Sequence, residues 1–270
     1  FVLAVMLDEP KTNKDYVYEY RDGSNIKYKG TPFNTAGWTS VEVVGQIVDK
    51  IGPILAIKYR EIYWQMYLKD FFPKIKREYR NYFFSNIAFD SRKIRKNFIF
   101  FAIKGNSFDG HKFINQAILK GAKIIVHEKK FSGINNNILF ISSKNIRKLL
   151  ANVSFKINQL KPKNLIAVTG TNGKSSVADF YFQILKLNKK KVASIGTLGI
   201  KTSKTFRTSY NTTLNSIELS KLLKSLKRKK IENVIMEASS HGLKQNRLDG
   251  LSFNIGIFTN LSHDHLDYHK

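Results

Sequence analysis

Apolar positions along this chain alternate between short runs of strand length and stripes at helical spacing. Residues 98–103, 123–127 and 138–142 are short apolar stretches, and Phe113, Ile114, Ala117 and Ile118 mark one face of a helix ending at Gly121. A longer helix is expected over residues 145–160, with Ile146, Leu149, Leu150, Val153 and Ile157 on one side and a stop before Pro162. The alternation then repeats. Residues 165–168 predict a strand, a glycine turn follows, and Val177, Phe180, Tyr181, Ile184 and Leu185 give the next helix its apolar face. Further strands are expected at 192–195, 234–236 and 253–258. Between them Asn215 is placed to cap a helix carrying Glu218 three residues on, then Leu219, Leu222, Leu223 and Leu226. Strands alternating with helices predict parallel pairing. The fold class is therefore α/β: a small α/β unit over residues 66–162, then an open doubly wound sheet of the P-loop ATPase type over 163–270, with Lys161-Pro162-Lys163 between them.

The first 65 residues read differently. A strand-like run at 1–7 is stopped by Asp8-Glu9-Pro10, and a polar, tyrosine-rich stretch continues to Gly30. From Val41 to Ile57, Val44, Ile47, Val48, Ile51 and Leu55 then recur at helical spacing, although Gly52-Pro53 should break or end the helix. One strand and one helix cannot bury much surface alone. This extension is expected to pack on the rest or to be poorly ordered.

Composition narrows the class. A length of 270 residues suits about two domains, and 42% hydrophobic content with 20 Phe indicates a folded chain. The lack of Cys excludes disulfides and thiolate metal sites and fits a reducing, cytoplasmic setting. No apolar run reaches membrane-spanning length, and residues 1–7 lack the basic flank of a signal peptide, so no membrane insertion is expected. A net charge of +26 raises the question of nucleic acid. Residues 1–65 carry eight Lys/Arg and eight Asp/Glu, so the whole excess lies after them. There the lysines are scattered among Asn and Ile, without an RNA-binding aromatic signature or a helix-turn-helix. That distribution describes a solvated surface and no nucleic-acid partner, although an anionic substrate would benefit from the field.

The chemistry concentrates after three of the expected strands. In Ile166-Ala-Val-Thr-Gly-Thr-Asn-Gly-Lys-Ser-Ser176 an apolar strand breaks into a glycine turn, followed by a lysine and two hydroxyls at a helix start. Such a turn brings backbone N–H groups to phosphate oxygens, Lys174 can neutralise the outer phosphates, and the Ser175 hydroxyl can reach a bound Mg²⁺. Two residues separate Gly170 from Gly173, whereas the general P-loop has four. Glu237 closes the strand at 234–236 and offers a second hard oxygen ligand. Residues 259–269 carry His263, Asp264, His265, Asp267 and His269, but their H-x-H-x-D-x-H spacing is one residue too long for a binuclear zinc array. A generic kinase or GTPase is disfavoured because neither an aspartate-ended second strand nor a base-recognition motif is present.

Together GTNGKSS, NTT, MEASSHGLKQNR and FTNLSHDHLDYH, with DSRKI and IKGNSFDGHKFINQAILKGA upstream, resemble the Mur ligases over about residues 66–270, most closely the branch that makes the muramyl tripeptide. The resemblance implies an ADP-forming amide ligase of peptidoglycan synthesis. Such an enzyme adds a third amino acid, expected to be meso-diaminopimelate, to UDP-MurNAc-L-Ala-D-Glu through an acyl phosphate. It implies ATP held by Gly170, Thr171, Asn172, Gly173, Lys174, Ser175 and Ser176. Mg²⁺ would be held by Ser175, Glu237 and His265, with Lys174, Glu237 and His265 catalytic. The muramyl dipeptide would meet Asn211, Thr212, Thr213, Ser239, Gln245 and Arg247. The uridine end would meet Phe89, Ser91, Asn106, Ser107 and Phe108. A cytoplasmic monomer is expected. The family's carbamylated lysine and its C-terminal domain would fall beyond Lys270, so this polypeptide alone is expected to bind nucleotide weakly and not to ligate. The competing reading is a nucleotide-binding regulatory or docking module. Separately, FVLAVMLDEPK and TAGWTSVEVVGQIVDKIGPILAI in residues 1–65 resemble the C-terminus of class B penicillin-binding proteins. The catalytic S-x-x-K, S-x-N and K-T-G motifs do not occur there, so the resemblance implies no transpeptidase chemistry.

Overall fold

A computed structural model of the chain describes residues 17–19, 27–29, 66–105, 108–209 and 211–262. The chain divides into two compact units, Phe1–Trp64 and Gln65–Lys270. In the first, β1 (Val17–Glu19) and β2 (Lys27–Lys29) pair antiparallel with Tyr18 opposite Tyr28. This hairpin lies in the tyrosine-rich stretch for which the sequence predicted no strand, since three-residue segments are too short to show a period. The strand expected at 1–7 and the helical pattern expected from Val41 to Ile57 lie outside the described residues, as does the penicillin-binding-protein resemblance they carry.

The second unit opens with β3 (Met66–Tyr67), the single turn α1 (Leu68–Phe71) and β4 (Phe83–Phe84), the two strands pairing antiparallel. A five-stranded sheet follows, built from β5 (Asn86–Ala88), β6 (Phe98–Phe101), β7 (Ile124–His127), β8 (Gly133–Asn135) and β9 (Ile138–Ser142) in the order β5-β6-β7-β9-β8. All neighbours are parallel except β8, which turns back onto β9. Asn136 and Asn137 make that turn with φ of 47° and 60°. A two-residue hairpin loop needs such left-handed residues, and Asn tolerates them. Side chains alternate between the two faces. Ala88, Phe100, Ala102 and Ile125 pack with Ala117 of α2 (Ile114–Leu119), whereas Ile99, Phe101, Ile124, Val126 and Leu139 pack with Ile146, Leu150 and Val153 of α3 (Ile146–Ile157).

A six-stranded sheet completes the unit. Its elements are β10 (Asn164–Thr169), α4 (Lys174–Leu187), β11 (Val192–Gly196), β12 (Gly199–Thr202), β13 (Phe206–Arg207), α5 (Ser216–Arg228), β14 (Asn233–Glu237), α6 (Ser240–Lys244) and β15 (Ile255–Phe258). The strand order is β13-β12-β11-β14-β10-β15; β11, β14, β10 and β15 run parallel, with β12 and β13 added antiparallel. Helices cover both faces, as the alternation of apolar residues dictates. Ile166, Val168 and Ile235 pack with Ala178 of α4, whereas Leu165, Val234 and Met236 pack with Leu219, Leu223 and Leu226 of α5. This is the mixed α/β, doubly wound arrangement that the sequence predicted.

The helix expected to end near residue 160 stops at Ile157, and it buries two faces. Its Ala151 and Phe155 belong to the core of the six-stranded sheet, and Asn158 Nδ2 donates to Ser220 Oγ of α5 at 3.1 Å. α3 is therefore packed between the five-stranded sheet and α5.

Candidate functional site

The parallel register brings the C-terminal ends of β10, β14 and β15 side by side, with Val168 opposite both Glu237 and Ile257. The loop at 170–173 leaves β10 and enters α4 at Lys174. Gly170 and Gly173 take φ of 131° and 84°, values that a side chain would strain, and a Cβ on Gly170 would lie 2.1 Å from Thr259 Oγ1. The loop is braced from β15. Thr171 N donates to Asn260 O at 3.0 Å, Asn172 N to Asn260 Oδ1 at 3.0 Å, and Thr259 Oγ1 to Asn172 O at 2.6 Å. The first-turn N–H groups of α4 have no partner within the helix, which makes its start a favourable place for an anion. Lys174 Nζ donates back to Gly170 O and Thr171 O, each at 2.7 Å.

Glu237, 2% exposed at the end of β14, faces this loop. Its Oε2 accepts from Ser175 Oγ at 3.0 Å and from Thr197 Oγ1 at 3.1 Å; its Oε1 accepts from Thr197 N at 3.0 Å. Two hard oxygen donors, one of them a buried carboxylate, suit a small divalent cation such as Mg²⁺. His265, and the histidine-rich segment that raised the zinc alternative, lie outside the described residues. A cleft of about 920 Å³ is lined by the loop from Gly170 to Ser176 together with Thr197, Thr212, Glu237 and Ser239.

A second cavity of about 680 Å³ opens between the two sheets. Phe89, Ser91 and Phe108 line it from the five-stranded side, and Asn211, Gln245 and Arg247 from the six-stranded side. Phe108 is 75% exposed and Phe89 38%, so apolar ring faces are open to a planar ligand. Ser91, by contrast, is buried, and its hydroxyl donates to Gln116 Oε1 at 2.6 Å. Asn106 and Ser107 lie outside the described residues. Arg247 is aimed by its surroundings: Nε and Nη2 donate to Gln245 Oε1 at 3.1 and 2.8 Å, and Nη1 donates to Thr213 O.

Asn211, Thr212 and Thr213 run between the two spaces. Asn211 lines the cavity holding Arg247, and Thr212 lines the cleft beside the loop at 170–173. Thr213 lines neither. It is 3% exposed, its hydroxyl donates to Glu237 O at 2.9 Å, and it accepts from Ser239 N at 2.9 Å. Ser239 caps α6 by accepting from Gly242 N at 3.1 Å. The sequence reading missed α6, too short for a helical period, and it missed Thr197, which lies 40 residues from Glu237 along the chain. The adjacency of β11 and β14 is what joins Thr197 to Glu237.

Residues 168–270 match the Mur ligase middle domain, and residues 84–154 match the Mur ligase family, catalytic domain. A UDP-N-acetylmuramoyl-L-alanyl-D-glutamate--2,6-diaminopimelate ligase from Clostridium tetani is 46% identical over 190 residues, covering 68% of this chain and 39% of that protein. The ligase of the same name from Buchnera aphidicola is 43% identical over 195 residues, covering 69% of this chain and 39% of its own length. Among solved structures, one of a UDP-N-acetylmuramoyl-L-alanyl-D-glutamate--2,6-diaminopimelate ligase superposes with a TM-score of 0.65 at 28% identity, covering 76% of this chain and 42% of that one. The chain thus spans about two-fifths of the length of these relatives. Over the matched residues it belongs to the Mur ligase family, of which it carries the N-terminal and middle domains.

Proposed function

We propose that residues 66–162 and 163–270 form the UDP-sugar-binding and ATP-binding domains of an ADP-forming ligase of peptidoglycan precursor synthesis. Its acceptor is UDP-MurNAc-L-Ala-D-Glu and its added amino acid meso-diaminopimelate, the reaction named in the relatives above. The observation that carries the reading is the shared wall: the Asn211–Thr212 step feeds one residue into each cleft, and α6 with its following turn feeds Ser239 into one and Gln245 and Arg247 into the other. A substrate whose nucleotide end lies against Phe89 and Phe108 can thus present its peptide carboxylate to a phosphate held by residues 170–176.

In the reaction, a carboxylate oxygen of the dipeptide attacks the γ-phosphorus of ATP, the bond to the β-phosphate oxygen breaks, and ADP leaves. The incoming amine then attacks the acyl carbon and inorganic phosphate departs. Here the chain's residues position and neutralise. The first-turn N–H groups of α4 and Lys174 hold the phosphates, and Arg247 suits a carboxylate or phosphate of the sugar-peptide. Ser175, Glu237 and His265 would hold Mg²⁺, which would neutralise phosphate charge when bound. No helix among the described residues is long and apolar enough to cross a membrane; the proposed setting is a cytoplasmic monomer.

Calorimetric titration of the full chain with UDP-MurNAc-L-Ala-D-Glu and, separately, with ATP and Mg²⁺ tests this. Both are expected to bind, with Arg247→Ala weakening the first by about tenfold or more, the loss of a charge-assisted pair. Binding of ATP without the UDP-sugar would favour the nucleotide-binding regulatory module instead, and binding of neither would end the proposal.

A further inference from the structure

We propose that Thr197 is a positioning residue that fixes the Glu237 carboxylate for a divalent cation and links it to the substrate-side loop through Thr212. The inference rests on the reading above that Ser175 and Glu237 face Mg²⁺.

The argument starts from proton counting. An ionised carboxylate only accepts, so the hydroxyls within reach of Glu237 must donate to it. Ser175 Oγ donates at 3.0 Å and Thr197 Oγ1 at 3.1 Å, both to Oε2, while Thr197 N donates to Oε1 at 3.0 Å. Thr197 therefore grips both carboxylate oxygens. A hydroxyl has a single proton, and that of Thr197 is used on Glu237. In its 3.0 Å contact with Thr212 Oγ1 the Thr197 oxygen must accept, and Thr212 must donate. The chain of donation runs from Thr212 through Thr197 to Glu237. Ser175 approaches the same oxygen from the phosphate loop, and its own lone pairs stay available to a cation.

The backbone is built for this contact. Thr197 follows β11 directly, within the tight turn into β12, where Gly196 pairs with Gly199. A Cβ on Gly196 would lie 2.0 Å from Glu237 Oε1, so the carboxylate sits where a side chain at 196 would be. β11 and β14 are parallel neighbours, and their register brings Ile195 opposite Met236, one residue short of Gly196 and Glu237. The carboxylate is thus pinned by rigid strand ends, as metal ligands commonly are by the groups behind them. Thr212, at the other end of the chain of hydroxyls, belongs to the segment that also lines the Arg247 cavity through Asn211. Occupancy of that cavity would bias the cation site through the two hydrogen bonds that run from Thr212 to Thr197 and from Thr197 to Glu237.

The test titrates Mg²⁺ against ATP binding to the full chain and compares Thr197→Val, which keeps the shape and removes the hydroxyl, with Thr197→Ser, which keeps the hydroxyl. Loss of a group that orients a metal ligand typically costs 10–100-fold in metal affinity. The half-saturating Mg²⁺ concentration is therefore expected to rise about tenfold in Thr197→Val and to return to within about threefold of the parent in Thr197→Ser. Thr212→Val is expected to shift it in the same direction by less. If Thr197→Val folds poorly by circular dichroism, Thr197→Ala repeats the measurement with a smaller side chain. An unchanged Mg²⁺ requirement in the hydroxyl-free variant, with the parent clearly Mg²⁺-dependent, overturns the role of Thr197 alone. A parent whose ATP binding ignores Mg²⁺ overturns the reading of the site and this inference with it.

Discussion

Lys174 occupies the position at which a phosphate-loop lysine is most useful, the first residue of α4, yet its ammonium is folded onto the loop's own carbonyls. Those two contacts hold the ammonium at the loop without salt-bridging it to a carboxylate, so moving it to a phosphate trades neutral acceptors for an anionic one and breaks no ion pair. A charge-assisted hydrogen bond contributes about 1.5–3 kcal/mol, so Lys174→Ala is expected to weaken ATP binding about 10- to 100-fold. Affinity for UDP-MurNAc-L-Ala-D-Glu should be unmoved, because Lys174 lines only the phosphate-loop cleft. Calorimetry with each ligand separates the two, and an equal loss of both would indicate a folding defect. The strand–turn–helix arrangement around Gly170, Lys174 and Ser175 was legible because it is contiguous in sequence: a strand end, a turn and a helix start lie within eleven residues, 166–176. Thr197 carries no such local signature. A threonine inside a tight turn between two glycines acquires its meaning only when β11 is laid beside β14.

Helix ends were read best where a side chain makes the stop or start. Asn215 Oδ1 accepts from Glu218 N at 3.0 Å, so the expected cap forms, and Asn145, where the sequence placed the start of a helix, caps it too, its Oδ1 accepting from Lys148 N at 2.9 Å. Asn215→Ala removes the α5 cap and is expected to lower the stability of the second unit by about 1 kcal/mol, measurable as a shift of the urea midpoint at constant slope. Strands of three residues or fewer were legible nowhere, as β1, β2, β5 and β8 illustrate, because two alternations do not rise above chance. At the end of β7, no sequence pattern shows the setting of His127. The ring is 3% exposed and edge-on to Phe140 at 5.7 Å. Burial holds its imidazole below its ordinary range; His111 and Lys129 push the same way, and the Phe131 backbone opposes them. A histidine with a depressed folded pKa contributes stability that is fully present above its unfolded pKa of about 6.5 and lost as pH falls through the folded value. Lowering the pH from about 7.5 to about 5.5 should therefore reduce the urea midpoint, and His127→Gln should flatten that dependence. The carboxylates held low by cationic or histidine partners, Asp90, Asp109, Asp179 and Glu232, act in a more acidic window and leave this comparison clear.

The alternation of strand and helix was sufficient to recover two sheets and their parallel sense, but not how one sheet meets the other. That information lies in α3, whose sequence shows a single apolar stripe while its neighbours use two faces. Ile146, Leu150 and Val153 serve the five-stranded sheet. Ala151 and Phe155 serve the core beneath α5. A stripe search sees the first set and takes the second for a solvated side with one stray phenylalanine. The cavity lined by Phe89 and Arg247 lies between the sheets, so its shape depends on this helix holding both. Phe155→Ala removes a ring that is 8% exposed, a change that costs about 3–5 kcal/mol when the surroundings cannot collapse into the space. Because the ring belongs to only one of the two cores, the loss should fall unevenly. Hydrogen exchange is expected to speed up in α5, β10 and β14, while amides of β6, β7 and β9 keep their protection. UDP-MurNAc-L-Ala-D-Glu binding should weaken in parallel, as the residues on the two sides of the cavity lose their common reference. Exchange that accelerates equally in both sheets would mean instead that they unfold as one cooperative body, and that α3 transmits stability in both directions.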